Sequence, residues 1–347
     1  MRDKLLDPWV EAIDEYPLTG SNDEKLMSVL RHAVLAPSSH NSQPWRFEIV
    51  DGMLNLYADR ARALPVVDPD DRELVISCGA ALGFIRVALR HFGTDPVIER
   101  SPDPSTPDWL AHIELGQTHL PTERDHALFR AIATRRTNRR PFETRLIPEP
   151  VLGRARGLVE RESAWLQTLQ DDADREVLAN LIGEGDRVQM ADRKFRRELA
   201  AWVHSNRSSS RDGMPGYAHG VGDLAASVGP LVIRTFDIGK GAAAHDRDLV
   251  RGSPVLAVMW TETDTAPAWL AAGVGLSQAL LSLESENVSV SYLNQVVEVP
   301  ELRQRLREQL GREGYPQLVL RLGYGPRIRA TPRRPVSEIM REPEVAE

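Results

Sequence analysis

Apolar residues recur at three- and four-residue intervals in EKLMSVLRHAVL, where Leu26, Val29, Leu30, Ala33 and Val34 fall on one face. The spacing predicts a helix over Glu24 to Leu35, ended by Pro37. WRFEIV and MLNLYA then alternate as strands do, and Asp51-Gly52 between them is a two-residue hairpin signal. A long apolar helix follows over Arg72 to Phe92, and a proline-rich link, SPDPSTPD, leads to a strand at Leu110 to Leu115. Helix, hairpin, helix and strand make one unit.

A second unit begins near Arg124. It reads as a helical DHALFRAIATRRTNRR, helices over Pro150 to Glu160 and Asp186 to Val203, and a strand over Ser253 to Thr261. A long apolar helix over Ala268 to Glu284 and a last strand over Pro316 to Gly325 complete it. Both units place an apolar, glycine-containing helix (GAALGFIRVALRHFG; GVGLSQALLSLESENV) ahead of a strand with alternating hydrophobics. This order suggests an internal duplication, with modules at residues 1–123 and 124–347. Strands wrapped by long helices give an α+β class. Between Ser205 and Asp223 the periodicity stops in SNRSSSRDGMPGYAHGVGD, a Ser/Gly-rich loop longer than connections usually are. It reads either as a lid or as disorder. The tail REPEVAE is expected to be disordered.

Composition narrows the function. The 347 residues are 41% hydrophobic, as a globular core requires, and the net charge of −7 gives no electrostatic reason to expect nucleic acid. No apolar run reaches the roughly 18 residues of a membrane span. The start, MRDKLLDPWVEAIDEYP, lacks the order of a signal peptide, so a cytoplasmic location is expected. Cys78, the single cysteine, excludes an internal disulfide and reads as a buried structural residue. Lysine occurs only at Lys4, Lys25, Lys194 and Lys240, so arginine is the habitual cation and arginine clusters weigh less than usual.

Three stretches carry the candidate chemistry. APSSHNSQPW, Ala36 to Trp45, strings small polar side chains between two prolines and presents donors rather than core. RRTNRR, Arg135 to Arg140, reads either as a solvated helix end complementing the macrodipole or as a phosphate grip. RIRATPRRPVSEIM follows the last strand and reads alone as a basic tail. The chain has no Walker loop, no H-E-x-x-H and no paired-cysteine spacing, and a metal site is not expected.

Together, PSSHNSQPW, RRTNRR and PRRPVSEI resemble the flavin-binding elements of the nitroreductase family of FMN oxidoreductases. The distribution is telling, because the serine-asparagine motif lies in the first unit and the arginine motif in the second. Each unit keeps one side of one site. This resembles the tandem, single-chain Acg type of actinobacteria, over about Lys25 to Met340. The resemblance implies a nitroreductase-like fold whose two modules form an internal pseudo-dimer with one FMN and a lid at 205–223. Under it, Pro37, Ser38, Ser39 and Asn41 approach the flavin, Arg135, Arg136 and Thr137 belong to the phosphate grip, and Arg139 sits near the ring edge. Arg333 and Arg334 close the phosphate site. In VSVSYLNQV, Leu293, Asn294 and Gln295 either pass the ring or form a plain strand-to-helix connection. His40 falls at a variable position of the motif and receives no chemical role.

Two functions follow. One is an FMN-dependent oxidoreductase that moves hydride from NAD(P)H to a small nitro- or quinone-like aromatic acceptor, with the flavin N5 rather than a side chain doing the chemistry. The other is an FMN storage or sequestration protein whose lid keeps turnover low. A monomer is expected, with further dimerisation open.

Overall fold

The computed structural model describes residues 4–11, 16–219 and 221–341. After a short helix α1 (Asp7–Glu11), Ser21 opens the helical pattern seen in the sequence. Its hydroxyl accepts the Glu24 amide at 3.2 Å, and the Glu24 carboxylate accepts the Ser21 amide at 2.8 Å. This reciprocal cap starts α2 (Asn22–Ala33) two residues before the apolar pattern does. The hairpin β1 (Trp45–Val50) and β2 (Met53–Ala58) turns at Asp51 and Gly52, with φ of 52° and 79°. Both values are positive, as a type I′ turn requires.

Helix α3 (Arg72–His91) follows, then β3 (Thr94–Arg100) and β4 (Trp109–Thr118). The four strands form an antiparallel sheet in the order β1-β2-β4-β3. After α4 (Glu123–Thr134) and α5 (Glu149–Glu160), a second sheet is built from β5 (Ala164–Leu169), β8 (Val255–Thr261), β9 (Ser289–Tyr292) and β10 (Tyr315–Gly323). Its order is β5-β8-β10-β9, also antiparallel. Numbered within each sheet, both follow 1-2-4-3, and in both a twenty-residue helix joins the second strand to the third: α3, and α10 (Ala266–Ser285). Helices α11 (Gln295–Glu298) and α12 (Pro300–Gln309) connect β9 to β10.

Helices α3 and α10 pack on each other, and glycines let them approach. A β-carbon at Gly79 would lie 2.2 Å from the Leu270 carbonyl oxygen, and one at Gly273 would lie 2.1 Å from that of Ile76. By length and composition alone both helices are long and apolar enough to cross a membrane, which corrects the expectation that no stretch reaches that length. Here 83% and 78% of those stretches are buried, because their apolar sides form the core on which the two sheets rest.

A long insertion separates β5 from β8. It comprises α6 (Asp172–Ala191), α7 (Arg193–Trp202), a short parallel pair of β6 (Val203–His204) and β7 (Met214–Pro215), then α8 (Asp223–Thr235) and α9 (Gly239–Arg251). The single helix expected over Asp186 to Val203 is thus two, because Asp192 is extended (φ −76°, ψ 121°) and caps α7 through the Lys194 amide at 2.8 Å. Helix α7 is anchored on the first unit, where the Glu198 carboxylate accepts the Val66 and Val67 amides at 3.0 and 2.9 Å.

RRTNRR is not helical. Helix α4 ends at Thr134, Arg135 turns extended (φ −56°, ψ 130°), and Thr137 bridges Val290 beside β9. Asn138 pins the segment: its amide donates to the Val290 carbonyl at 2.9 Å and its side chain to the Pro326 carbonyl at 3.0 Å. The reading as a solvated helix end is therefore corrected. Past the last sheet strand the chain returns to the first sheet, where the Phe47 amide donates to the Ile339 carbonyl at 2.8 Å. Of REPEVAE, all but Arg341 lies outside the described residues.

Candidate functional site

The APSSHNSQPW turn is held in an uncommon conformation. His40, Asn41 and Gln43 have φ of 51°, 56° and 52°, a region that non-glycine residues occupy at some cost and that active sites concentrate. Gln43 fixes it. Its amide donates to the Ser38 hydroxyl at 2.9 Å, its Nε2 donates to the Asn41 and Arg211 carbonyls at 3.2 and 2.9 Å, and its Oε1 accepts the Arg334 amide at 2.8 Å. The polar string thus folds its own backbone into a platform at the N-terminal side of β1.

Two cavities that share Pro37, Ser38, Thr137, Arg139 and Met214 meet this platform. The larger, about 330 Å³, is lined by Ser39, Leu293, Asn294 and Gln295 as well. The smaller, about 40 Å³, is lined by Asn41, Arg135, Arg136, Arg329 and Arg333. Of the residues singled out in the sequence, only Arg334 lines neither. Its guanidinium reaches the Gln43 carbonyl at 3.3 Å and the Asp59 carboxylate at 3.9 Å, so it braces the turn. For Arg334 the resemblance implies a place beside Arg333 at a phosphate, and here it stands outside both cavities.

The smaller cavity is strongly cationic. Arg135 and Arg333 are each 3% exposed, the Nε of both is buried without a hydrogen-bond acceptor, and the Asn41 Oδ1 is buried without a donor. No carboxylate pairs with Arg135, Arg136, Arg139 or Arg333 among the described residues. Burial lowers the pKa of Arg135, and burial with the neighbouring Arg135 lowers that of Arg136 to about 10. Arg333 is pushed well down by burial and then by Arg135 and Arg136. Trp9 tempers the cluster, with the Arg136 and Arg333 guanidinium carbons 3.7 and 5.1 Å from its ring centroid.

In the larger cavity several expected contacts are already engaged. The Ser39 hydroxyl donates to Glu73. Asn294 donates to Glu73 at 3.1 Å and accepts the Val319 amide at 3.0 Å, so its side chain is spent on holding the β9–α11 junction. Arg139 lies in both cavities, its Nη2 3.7 Å from the Met214 sulfur. His40 also lines the larger cavity, and desolvation followed by the charge of Arg139 lowers its pKa to about 4, so it is neutral at pH 7. Arg321, hidden in the hydrophobic run of β10, is fully buried; its Nη2 donates to the Asn138 and Arg140 carbonyls at 3.1 and 2.9 Å, and its Nη1 has no partner. Trp9 and Arg321 are residues that sequence reasoning passed over, and His40 is one to which it gave no role. Only the arginine inside an otherwise apolar strand left a visible signal.

The 205–223 loop contributes Met214 to the lining of both cavities, His219 to the larger and Ala218 to the smaller. The Gly213 amide donates to the Asn41 carbonyl at 3.3 Å, and the Asn41 Nδ2 donates to the Gly213 carbonyl at 3.0 Å. Tyr217 donates its hydroxyl to the Ala330 carbonyl at 2.9 Å, and Met214 and Pro215 are buried. The thiol of Cys78 is buried too and donates to the Pro44 carbonyl at 3.1 Å.

No protein-family model matches the chain. Among solved structures, the nitroreductase NfnB from Mycobacterium smegmatis, a complex with NADPH, is 15% identical with a TM-score of 0.42, covering 62% of this chain and 98% of that one. Nitroreductase A from Vibrio parahaemolyticus is 12% identical with a TM-score of 0.40, covering 64% and 78%. Sequence relatives are nearer. The protein named "Putative NAD(P)H nitroreductase Rv3131" from Mycobacterium tuberculosis is 33% identical over 329 residues, 92% of each chain. "Putative NAD(P)H nitroreductase acg" from the same organism is 30% identical over 333 residues, 93% of this chain and 97% of that one. Likeness at this level along nearly the whole length of both partners shows that the chain belongs to the NAD(P)H nitroreductase family that includes Acg.

Proposed function

We propose that the joined cavities hold one FMN, with its phosphate in the smaller and its ring in the larger, and that the protein passes hydride from NAD(P)H to a nitro- or quinone-like acceptor. One observation carries the reading: two nearly fully buried arginines, with Arg136 and Arg139 beside them, face a common space without a counter-anion. Buried unpaired cations are costly, and a phosphate with nearly two negative charges offsets that cost through charge-assisted hydrogen bonds. Arg135, Arg136, Thr137 and Arg333 would hold it; Asn41, orphaned at Oδ1, faces the same space. Pro37, Ser38, Ser39 and Leu293 would bound the ring, and Arg139 places positive charge where the cavities join. The bound flavin supplies the hydride chemistry; the chain orients it and excludes water.

On this reading residues 1–123 supply the serine-asparagine side of the site and residues 124–347 the arginine side. The chain is then a pseudo-dimer, complete as a monomer. Titrating apoprotein with FMN tests it. One equivalent per chain is expected, along with loss of the yellow colour on anaerobic addition of NADPH and its return on addition of a quinone. Two equivalents, or none, would sink the reading. The packed loop favours storage as a second reading: a closed cover over bound FMN would slow bleaching by NADPH without weakening FMN.

A further inference from the structure

The insertion between β5 and β8 gives the larger cavity a wall of a different character from the FMN platform. Asp186 on α6 and Asp246 on α9 line it, and one amide nitrogen joins them: Gln295 Nε2 donates to Asp186 Oδ1 at 3.0 Å and to Asp246 Oδ2 at 2.7 Å. An amide NH2 has two hydrogens, so Gln295 is satisfied and both carboxyls keep acceptor capacity. Asp186 is only 6% exposed, and its Oδ2 is buried with no partner. No ion pair reaches either carboxylate among the described residues. Met190, Phe195, Leu199 and Leu249 line the same cavity and add an apolar surface.

We infer that Asp186 and Asp246, spaced by Gln295, form a subsite for the cationic, hydrogen-bond-donating group of an aromatic substrate, an amidinium or protonated amine, whose ring rests on Met190, Phe195 and Leu199. The inference rests on the FMN reading for its role in turnover. A planar cation with paired N–H groups suits two carboxylates that share one donor, Gln295, and no cation, and of which Asp186 keeps a buried oxygen without a partner; its charge relieves their mutual repulsion. Burial and then Asp246 lift the Asp186 pKa to about 7. The charged groups acting on the pair are Arg187 on Asp186, and His245, Arg321 and Arg139 on Asp246. Because the cation requires the ionised pair, its affinity rises with pH from 6 to 8.

Calorimetric titration of the full chain, with and without FMN, compares benzamidine with benzamide, its neutral isostere. At pH 8 benzamidinium is expected to bind at least about tenfold more tightly, and the preference to shrink at pH 6 and vanish in Asp186→Asn. Asp246→Asn is the second variant, and melting curves of both verify the fold. Equal binding of the two probes, no binding of benzamidinium, or a preference unchanged in both variants would overturn the subsite. FMN titration of the same samples separates the two claims. FMN binding without cation preference removes the subsite alone, whereas cation preference without FMN binding removes the flavin reading.

Discussion

Arg135 shows how a single residue ties stability to ligand. Its guanidinium is buried with Nε unpaired, so in the apoprotein it is a cost rather than a support. Arg135→Ala is therefore expected to leave the apoprotein as stable as before or more so, while weakening FMN by about 1.5–3 kcal/mol, the worth of a charged hydrogen bond. Riboflavin, which lacks the phosphate, should bind nearly unchanged. Thermal shifts with each ligand measure this, and equal losses for both would make Arg135 structural. A second residue ties stability to pH. Desolvation and the neighbouring Glu73 raise the Glu298 carboxyl to about 8, with Asp68 pushing the same way and Arg72 and a 2.6 Å hydrogen bond from Gln189 opposing. A carboxyl raised in the folded state favours folding when protonated, and that contribution is lost as pH rises from its ordinary range through about 8. Glu298→Gln keeps an acceptor for Gln189. It should melt higher than wild type at pH 8.5 and the same at pH 5; a gain independent of pH would refute the assignment.

At the scale of elements, the contact between α3 and α10 tests how the two sheets are joined. A methyl at position 273 would meet the Ile76 carbonyl and the Gly79 backbone, which side-chain rotation does not relieve. Gly273→Ala should thus cost about 1–3 kcal/mol by overpacking, read from denaturant unfolding, whereas Gly157→Ala, with open space around it, should not. These helices, the hairpin and the last strands were legible because burial imposes a strict period. RRTNRR was not, since its apolar-poor sequence gives no period and its strand-like path is set by Asn138 and β9 from far along the chain. Nor was β5, within LVERESAWLQTL, whose pairing with β8 lies across the insertion of residues 170–254. Helices α8 and α9 were missed for a related reason, as the Ser/Gly run before them masked the return of a helical pattern. In the site, the motifs marked which loops converge, but not which side chains are already spent: Ser39 on Glu73, Asn294 on Glu73 and Val319, Arg334 on the turn it braces.

For the whole molecule the question is access, because the insertion places Met214 and His219 in the lining of the larger cavity. The loop is fastened at separable points: the Asn41–Gly213 pair, the Tyr217 hydroxyl on Ala330, and Met214 between the two cavities. Each is a local contact, so opening the loop need not disturb α3, α10 or either sheet. If a cover shut most of the time reduces nicotinamide access by the fraction open, a closed-to-open ratio near a hundred costs about 2.7 kcal/mol in apparent affinity. Tyr217→Phe removes one fastening hydrogen bond, worth about 1 kcal/mol, without shortening the loop. It should leave FMN bound and speed anaerobic bleaching by NADPH about fivefold. Replacing Asn206 to Gly222 with a short Gly/Ser link should speed it further. Bleaching unchanged in both variants, with FMN retained, would show that the loop is not the gate. Brisk bleaching already in the intact protein would remove storage and leave the oxidoreductase reading alone.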